Sequence, residues 1–341
     1  MVVMQPPPRF PKHVLGMMQG SGRGDYPGNR HARRFDGRGR SGVKTSASSG
    51  HMLAMGTVLL WGITFISTKI LLVGLSPAEI LVLRFAIGYL ALWLIRPKLL
   101  RTSGWREEAL FAAAGICGVT LSFMLENTAL TLTTASNVSV IVATSPLFTG
   151  LISSFVLKKG GLGARFLVGF VLAIVGIALI SFSGETAALS TGDGALWLGL
   201  LGCGLAALNA IACAVYSVLS QRASMGGYDS ITVTRRFFFW GLVGMIPCLA
   251  VTGFDPDWAF LAQPVPLINL LFLGLGASAA CYAMWNAALK RLGPVTTMTY
   301  QYLVPVITIA IAVAVLGEPF TIAIAAGAVL TIAGLAVSQS R

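Results

Sequence analysis

From residue 52 onward, polar residues occur mainly as short breaks between apolar runs of about twenty residues. The runs fall at about 53–73, 77–96, 108–129, 135–157, 163–183, 195–219, 229–252, 266–290, 294–316 and 320–338. A helix of roughly 20 residues crosses a hydrocarbon core of about 30 Å, and only a helix satisfies its own backbone there. The pattern therefore predicts an all-α integral membrane protein with ten transmembrane helices. Residues 1–50 show no such periodicity. They are rich in Gly, Pro, Ser and Arg, and their composition predicts a disordered basic tail. The tail has no apolar stretch of the kind a signal peptide needs, and a start at Met52 would leave it untranslated. Its RGD tripeptide at 23–25 reads as chance in an Arg/Gly-rich setting.

Charge sharpens this picture. Only 11% of residues are charged and 55% are hydrophobic, with a mean hydropathy of +0.80. A soluble domain carries about 25% charged residues. The net charge of +12 is concentrated in the tail, where nine Lys or Arg face two acids, and in a few breaks. A bilayer surface explains that distribution better than nucleic acid does, because the basic residues flank apolar runs. The breaks alternate in sign. Arg96, Lys98, Arg101 and Arg106 mark one side, with Lys158, Lys159, Arg165, Arg222, Lys290 and Arg291. The opposite breaks (LVGLS, TLTT, GETAALSTGDG, GFDPDWAFLAQPVP, LGEP) hold no Lys or Arg and carry Glu185, Asp193, Asp255, Asp257 and Glu318. The positive-inside rule then predicts both termini in the cytoplasm, in a multi-pass protein of the cell (inner) membrane.

The chain also repeats itself. Residues 127–159 align with 286–318 at a fixed offset of 159, pairing NTAL with NAAL, Pro146 with Pro305, and Lys159 with Glu318. GFVLAIVGIAL (169–179) matches GAVLTIAGLAV (327–337) at an offset one shorter. Lys69 pairs with Arg222, and Arg84 with Arg236. The repeats are expected at 51–183 and 194–338. Each would hold five spans, so an odd count predicts that the second lies inverted relative to the first, as in many secondary transporters.

Candidate chemistry is sparse. His13, His31 and His51 all lie in the tail or at its edge, and no GxxxxGK[ST] is present. A metal site, a Ser-His hydrolase and a P-loop ATPase are thereby disfavoured; no metal, catalytic residue or cofactor is assigned. Cys117, Cys203, Cys213, Cys248 and Cys281 fall in apolar runs without CxxC spacing and read as packing residues. Ionisable residues within spans mark functional sites. Glu79, Arg84 and Glu126 are such residues. One reading is a proton or amine path through a glutamate with Arg84 as its counter-ion; the other is a structural ion pair. Lys69, and Arg235 and Arg236, lie near span ends and read as snorkelling. Trp61, Asn209, Tyr216, Tyr282, Trp285, Asn286, Tyr300 and Gln301 are candidates for a central substrate cavity, with interfacial anchoring or helix–helix hydrogen bonding as the alternative. Asn127 and Asn286 are repeat-related and are expected either to bond each other or to hold helices together. Pro146 and Pro305, at matching mid-span positions, are hinge candidates, or else static kinks.

WGITFISTK (61–69), the P-x-E-x-x-x-x-R-F pattern at 77–85 and the Asn…Pro…LGEP pattern at 286–319, on five-plus-five spans, together resemble the EamA family of the drug/metabolite transporter superfamily. The resemblance covers residues 52–338. It implies a gradient-driven transporter that exports amino acids or other small metabolites by alternating access, with a small-molecule substrate, a bilayer as its solvent and the proton gradient as a candidate driving force. A lipid-linked head-group flippase, a membrane-embedded enzyme and a scaffold are the alternatives, and an enzyme lacks a visible nucleophile–base pair. One departure stands out: members commonly carry a glutamate after the fourth span, where this chain has Lys158–Lys159.

Overall fold

A computed structural model describes residues 39–157, 163–181, 195–224, 228–292, 297 and 300–339. The tail before residue 39, the Lys158–Lys159 turn and the break GETAALSTGDG lie outside the described residues, as do the side chains of Asn286 and Lys290. The chain divides into Met1–Gly42 and Val43–Arg341, and the transmembrane bundle belongs to the second unit.

All described secondary structure is helical. In chain order the helices are α1 (Gly39–Leu71), α2 (Pro77–Ile95), α3 (Trp105–Gly115), α4 (Ser122–Leu132), α5 (Ala135–Val142), α6 (Ser145–Leu157), α7 (Ala164–Ser181) and α8 (Ala195–Ser224). They continue as α9 (Ser230–Thr252), α10 (Trp258–Leu261), α11 (Pro264–Leu271), α12 (Cys281–Leu292), α13 (Leu303–Ile311) and α14 (Ile322–Gln339). Among the described residues, eight helical stretches are long and apolar enough to cross a membrane: Ser48–Leu71, Pro77–Ile95, Trp105–Leu132, Ala135–Ile152, Ala164–Ser181, Leu196–Ser220, Ser230–Thr252 and Pro264–Trp285. The ninth and tenth apolar runs appear as the shorter helices Tyr300–Leu316 and Ile322–Ser338. The first helix begins at Gly39, inside the segment read from composition as tail.

Local chemistry explains several boundaries. Ser76 caps α2 by accepting from the Glu79 backbone at 3.3 Å, while Glu79 Oε2 accepts from the Ser76 N–H at 2.7 Å. Pro77 follows at the first helical position, where its missing N–H costs nothing. Thr134 caps α5 in the same manner through Asn137 N. The fourth apolar run is not one smooth helix: it breaks at Ala143–Thr144, which places Pro146 in the first turn of α6. Pro305 likewise sits in the first turn of α13, behind the 3₁₀ turn Tyr300–Tyr302. Both prolines therefore lie just after a local departure from α-helical geometry.

Among the described residues, three π-helical turns interrupt the spans. Ile116–Leu121 joins α3 to α4, Phe272–Ala280 joins α11 to α12, and Ala312–Leu316 follows α13. The first two lie within the candidate membrane spans Trp105–Leu132 and Pro264–Trp285. A π turn carries an extra residue and redirects the helix beyond it, and such turns concentrate at functional sites.

Side chains that face away from the bundle are apolar. On α7, Leu167, Val168, Val171, Ile174 and Val175 are all exposed. The opposite face of α7 packs on α14 through bare backbone. A Cβ on Gly169 would lie 2.3 Å from the Gly334 carbonyl oxygen, and one on Gly176 would lie 2.6 Å from that of Gly327. Glycines of this kind let membrane helices approach closely and exchange weak Cα–H···O contacts. Because 169 faces 334 while 176 faces 327, the two helices run antiparallel. An offset of 158 carries each pair onto the other, since 169 maps to 327 and 176 to 334.

Gly176→Val should therefore force this seam apart, at a cost of about 1–3 kcal/mol or more for overpacking. Thermal unfolding in detergent, followed by size exclusion, should show an early, aggregating transition for Gly176→Val and none for the outward-facing control Val171→Ala.

Candidate functional site

Two buried polar clusters stand out, one within the apolar runs and one at the breaks between them. The first is built from α2, α4, α8 and the π turn Phe272–Ala280. Arg84 leaves α2 only 3% exposed. Its Nε donates to Ser278 Oγ at 3.0 Å, and Ser278 in turn donates to the Leu273 carbonyl. The guanidinium lies over the rings of Phe123, at 4.6 Å, and Phe85, at 5.3 Å. Phe85 itself is wedged edge-on between Phe123 and Phe238.

Glu126, 7% exposed, comes from α4 one turn below Ser122. Its Oε2 accepts from Asn209 Nδ2 at 3.0 Å, and Asn209 Oδ1 accepts from Ser122 Oγ at 2.5 Å. The Cys213 thiol, one turn beyond Asn209, meets both Ser122 and Asn209. Two i, i+4 pairs, Ser122/Glu126 and Asn209/Cys213, thus face each other across α4 and α8. Arg84 and Glu126 act on one another electrostatically. A buried charge is tolerated only with a partner or with hydrogen bonds, and this cluster gives a hydrogen bond to each charge.

The second cluster gathers three breaks on the acid-bearing face. Glu318 follows the π turn Ala312–Leu316 and Gly317, whose φ of 66° is readily adopted by glycine. Its carboxylate accepts from Ala135 N at 2.7 Å, Ser136 N at 3.1 Å and Ser136 Oγ at 2.7 Å. Those are the exposed donors of the α5 N-terminus, an anion site by geometry and dipole. Lys69 Nζ closes the cluster at 3.8 Å from Oε1. Read from sequence, Glu318 is a loop acid facing water and Lys69 a snorkelling residue. In the fold Glu318 is buried and ties the ends of α1 and α5 to its own span.

Other sequence candidates go elsewhere. Glu79 does not approach the Arg84 cluster: it completes the α2 capping box, and its Oε1 accepts from Asp255 N at 3.0 Å. Asn127 donates to the Pro77 carbonyl at 3.2 Å. Trp61 and Trp285 pack with ring centroids 4.9 Å apart, and Tyr300 Oη lies 2.7 Å from His51 Nδ1, so α1 meets α12 and the 3₁₀ turn that includes Gln301. On the basic face Arg235 and Arg236 are held in place by the break that follows α2 and by α3. Arg235 donates to the Arg96 carbonyl at 2.5 Å and to that of Lys98. Arg236 Nε lies 2.8 Å from Glu108 Oε1, which also accepts from Trp240. Among the described residues no group of His, Cys, Asp and Glu could hold a metal. Sequence reasoning does not single out Ser122, Phe123, Ser278 or Cys213; the i, i+4 spacing of Ser122 from Glu126 is the signal that could have found one of them.

The EamA-like transporter family model matches residues 48–182 and 200–339. An uncharacterized transporter of Archaeoglobus fulgidus is 30% identical over 86% of this chain and 98% of its own length. A protein of Streptantibioticus cattleyicolor named "probable terminal-alkyne amino-acid exporter" is 26% identical over 84% of this chain and 91% of its own. One of Salmonella typhimurium named "probable amino-acid metabolite efflux pump" is 25% identical over 84% and 93%. A crystal structure shares the fold, with a TM-score of 0.59 at 20% identity over 86% of this chain and 97% of that one.

Two substitutions separate support from chemistry. Glu318→Ala should leave the α5 N–H groups and Lys69 without their acceptor and destabilise the protein by about 2–4 kcal/mol, read as a lowered midpoint in detergent unfolding. Glu79→Ala should cost about 1–2 kcal/mol, for the lost capping-box bond and the lost Asp255 bond, and should leave the rate of solute flux per folded molecule unchanged in proteoliposomes.

Proposed function

The chain belongs to the EamA-like transporter family, and on that premise we propose that it is a gradient-driven secondary transporter rather than an enzyme. It exports small polar metabolites, amino acids first among them, across the cell (inner) membrane with both termini in the cytoplasm. Ten spans form two five-helix repeats, 51–183 and 194–338, of opposite orientation, and alternating access follows from rocking one against the other. The antiparallel α7–α14 seam, whose two glycine contacts are images of each other, supports that arrangement. The names of two relatives, an amino-acid exporter and an amino-acid metabolite efflux pump, support the substrate class.

The single observation that carries the reading is the buried Arg84–Glu126–Asn209 cluster. Charges placed in hydrocarbon cost several kcal/mol each, and a fold retains them where a solute or proton must be met. A purely structural ion pair would put the two charges in contact. Arg84 and Glu126 make no ion pair within 4.0 Å of each other, although each is buried. Glu126 is the group best placed to exchange a proton for substrate.

Purified protein in proteoliposomes, tested with and without an imposed proton gradient, should move amino acids, and the gradient should speed that movement. Arg84→Ala should lower amino-acid flux about tenfold or more while the protein remains folded and monodisperse. Normal flux through a well-folded Arg84→Ala protein would make the cluster structural.

A further inference from the structure

The valences left open in the Arg84–Glu126 cluster identify what it recognises. Arg84 is held by its Nε bond to Ser278 and by the rings of Phe85 and Phe123. Among the described residues its two terminal nitrogens have no hydrogen-bond partner, so an in-plane fork of N–H donors remains unfilled. Glu126 is fixed in turn by the Asn209 amide at Oε2, and among the described residues its Oε1 has no hydrogen-bond partner. The two groups feel each other's charge without touching. Both are more than nine-tenths buried.

We propose that this pair is a zwitterion site: the guanidinium fork of Arg84 takes the carboxylate of an α-amino acid, and Oε1 of Glu126 takes its ammonium group. The assignment rests on the transport reading above and narrows its substrate class. A planar guanidinium fork matches a carboxylate bidentately. A solute carrying only one charge leaves the other residue desolvated and unpaired, which a buried site penalises heavily. A solute carrying both, on adjacent atoms, satisfies the two at once and adds no net charge to the interior. The Ser278 bond fixes which edge of Arg84 is presented, and the Asn209 bond does the same for Glu126. Ser278 and Asn209 are therefore positioning residues.

The test is counterflow in proteoliposomes with each of the twenty protein amino acids. The fastest is then compared with its amide, which lacks the carboxylate, and its 2-hydroxy acid, which lacks the ammonium. Both analogues should move about tenfold or more slowly, the worth of one charge-assisted contact. Arg84→Gln should erase the preference over the amide and keep the preference over the hydroxy acid; Glu126→Gln should do the reverse. Should either variant fail to fold, the wild-type analogue series decides by itself. An analogue that moves as fast as its amino acid overturns the proposal. Flux of simple amines, organic acids or nucleobases without any amino acid overturns the zwitterion site and leaves the transporter intact. No flux of any solute under any gradient overturns both.

Discussion

Hydrocarbon offers no hydrogen bonds, so a polar group in a membrane span must find its partner inside the protein. The buried charges of this chain obey that constraint. Glu126 has Asn209, Arg84 has Ser278 and two aromatic faces, and Glu318 has the α5 N-terminus and Lys69. The same rule explains the interruptions in the helices. Where the fourth run breaks at Ala143–Thr144, the Thr144 hydroxyl donates to the Ile141 carbonyl and Thr144 N bonds the same oxygen.

The two polar clusters differ in how completely they do so. Glu318 is saturated by three hydrogen bonds and a cation, an arrangement that ties helix ends together. The Arg84–Glu126 cluster is saturated on its supporting side only, at Nε and Oε2. A cluster of the first kind holds a conformation; one of the second kind is prepared for something to arrive. The basic face shows the first kind again, where Glu108 collects both Arg236 and Trp240 and fastens α3 to α9.

Sequence alone makes the helical architecture legible, because twenty-residue apolar runs have few other uses. It also carries the capping box in SPAE, although there Glu79 reads as an ionisable residue inside a span; spacing from Ser76 is the better guide. The partners of Arg84 and Glu318 are not legible. Ser278 lies 194 residues from Arg84, and Ala135 lies 183 from Glu318, and no local pattern encodes contacts at such range. The π turns are also invisible, since one extra residue in an apolar run leaves no compositional trace. Without the turn at Ala312–Leu316 ahead of Gly317, Glu318 would not be aimed at α5.

The glycine seam has a consequence for assembly. Helix α7 is made well before its counterpart α14, so the ribosome must add some 140 further residues before the two meet. At ordinary rates of synthesis that wait is on the order of ten seconds. Throughout it the bare backbone of Gly169 and Gly176 faces lipid or a temporary neighbour. The α7 face of the bundle is thus closed only when α14 arrives, and a nascent chain stalled before Ile322 holds an unclosed edge.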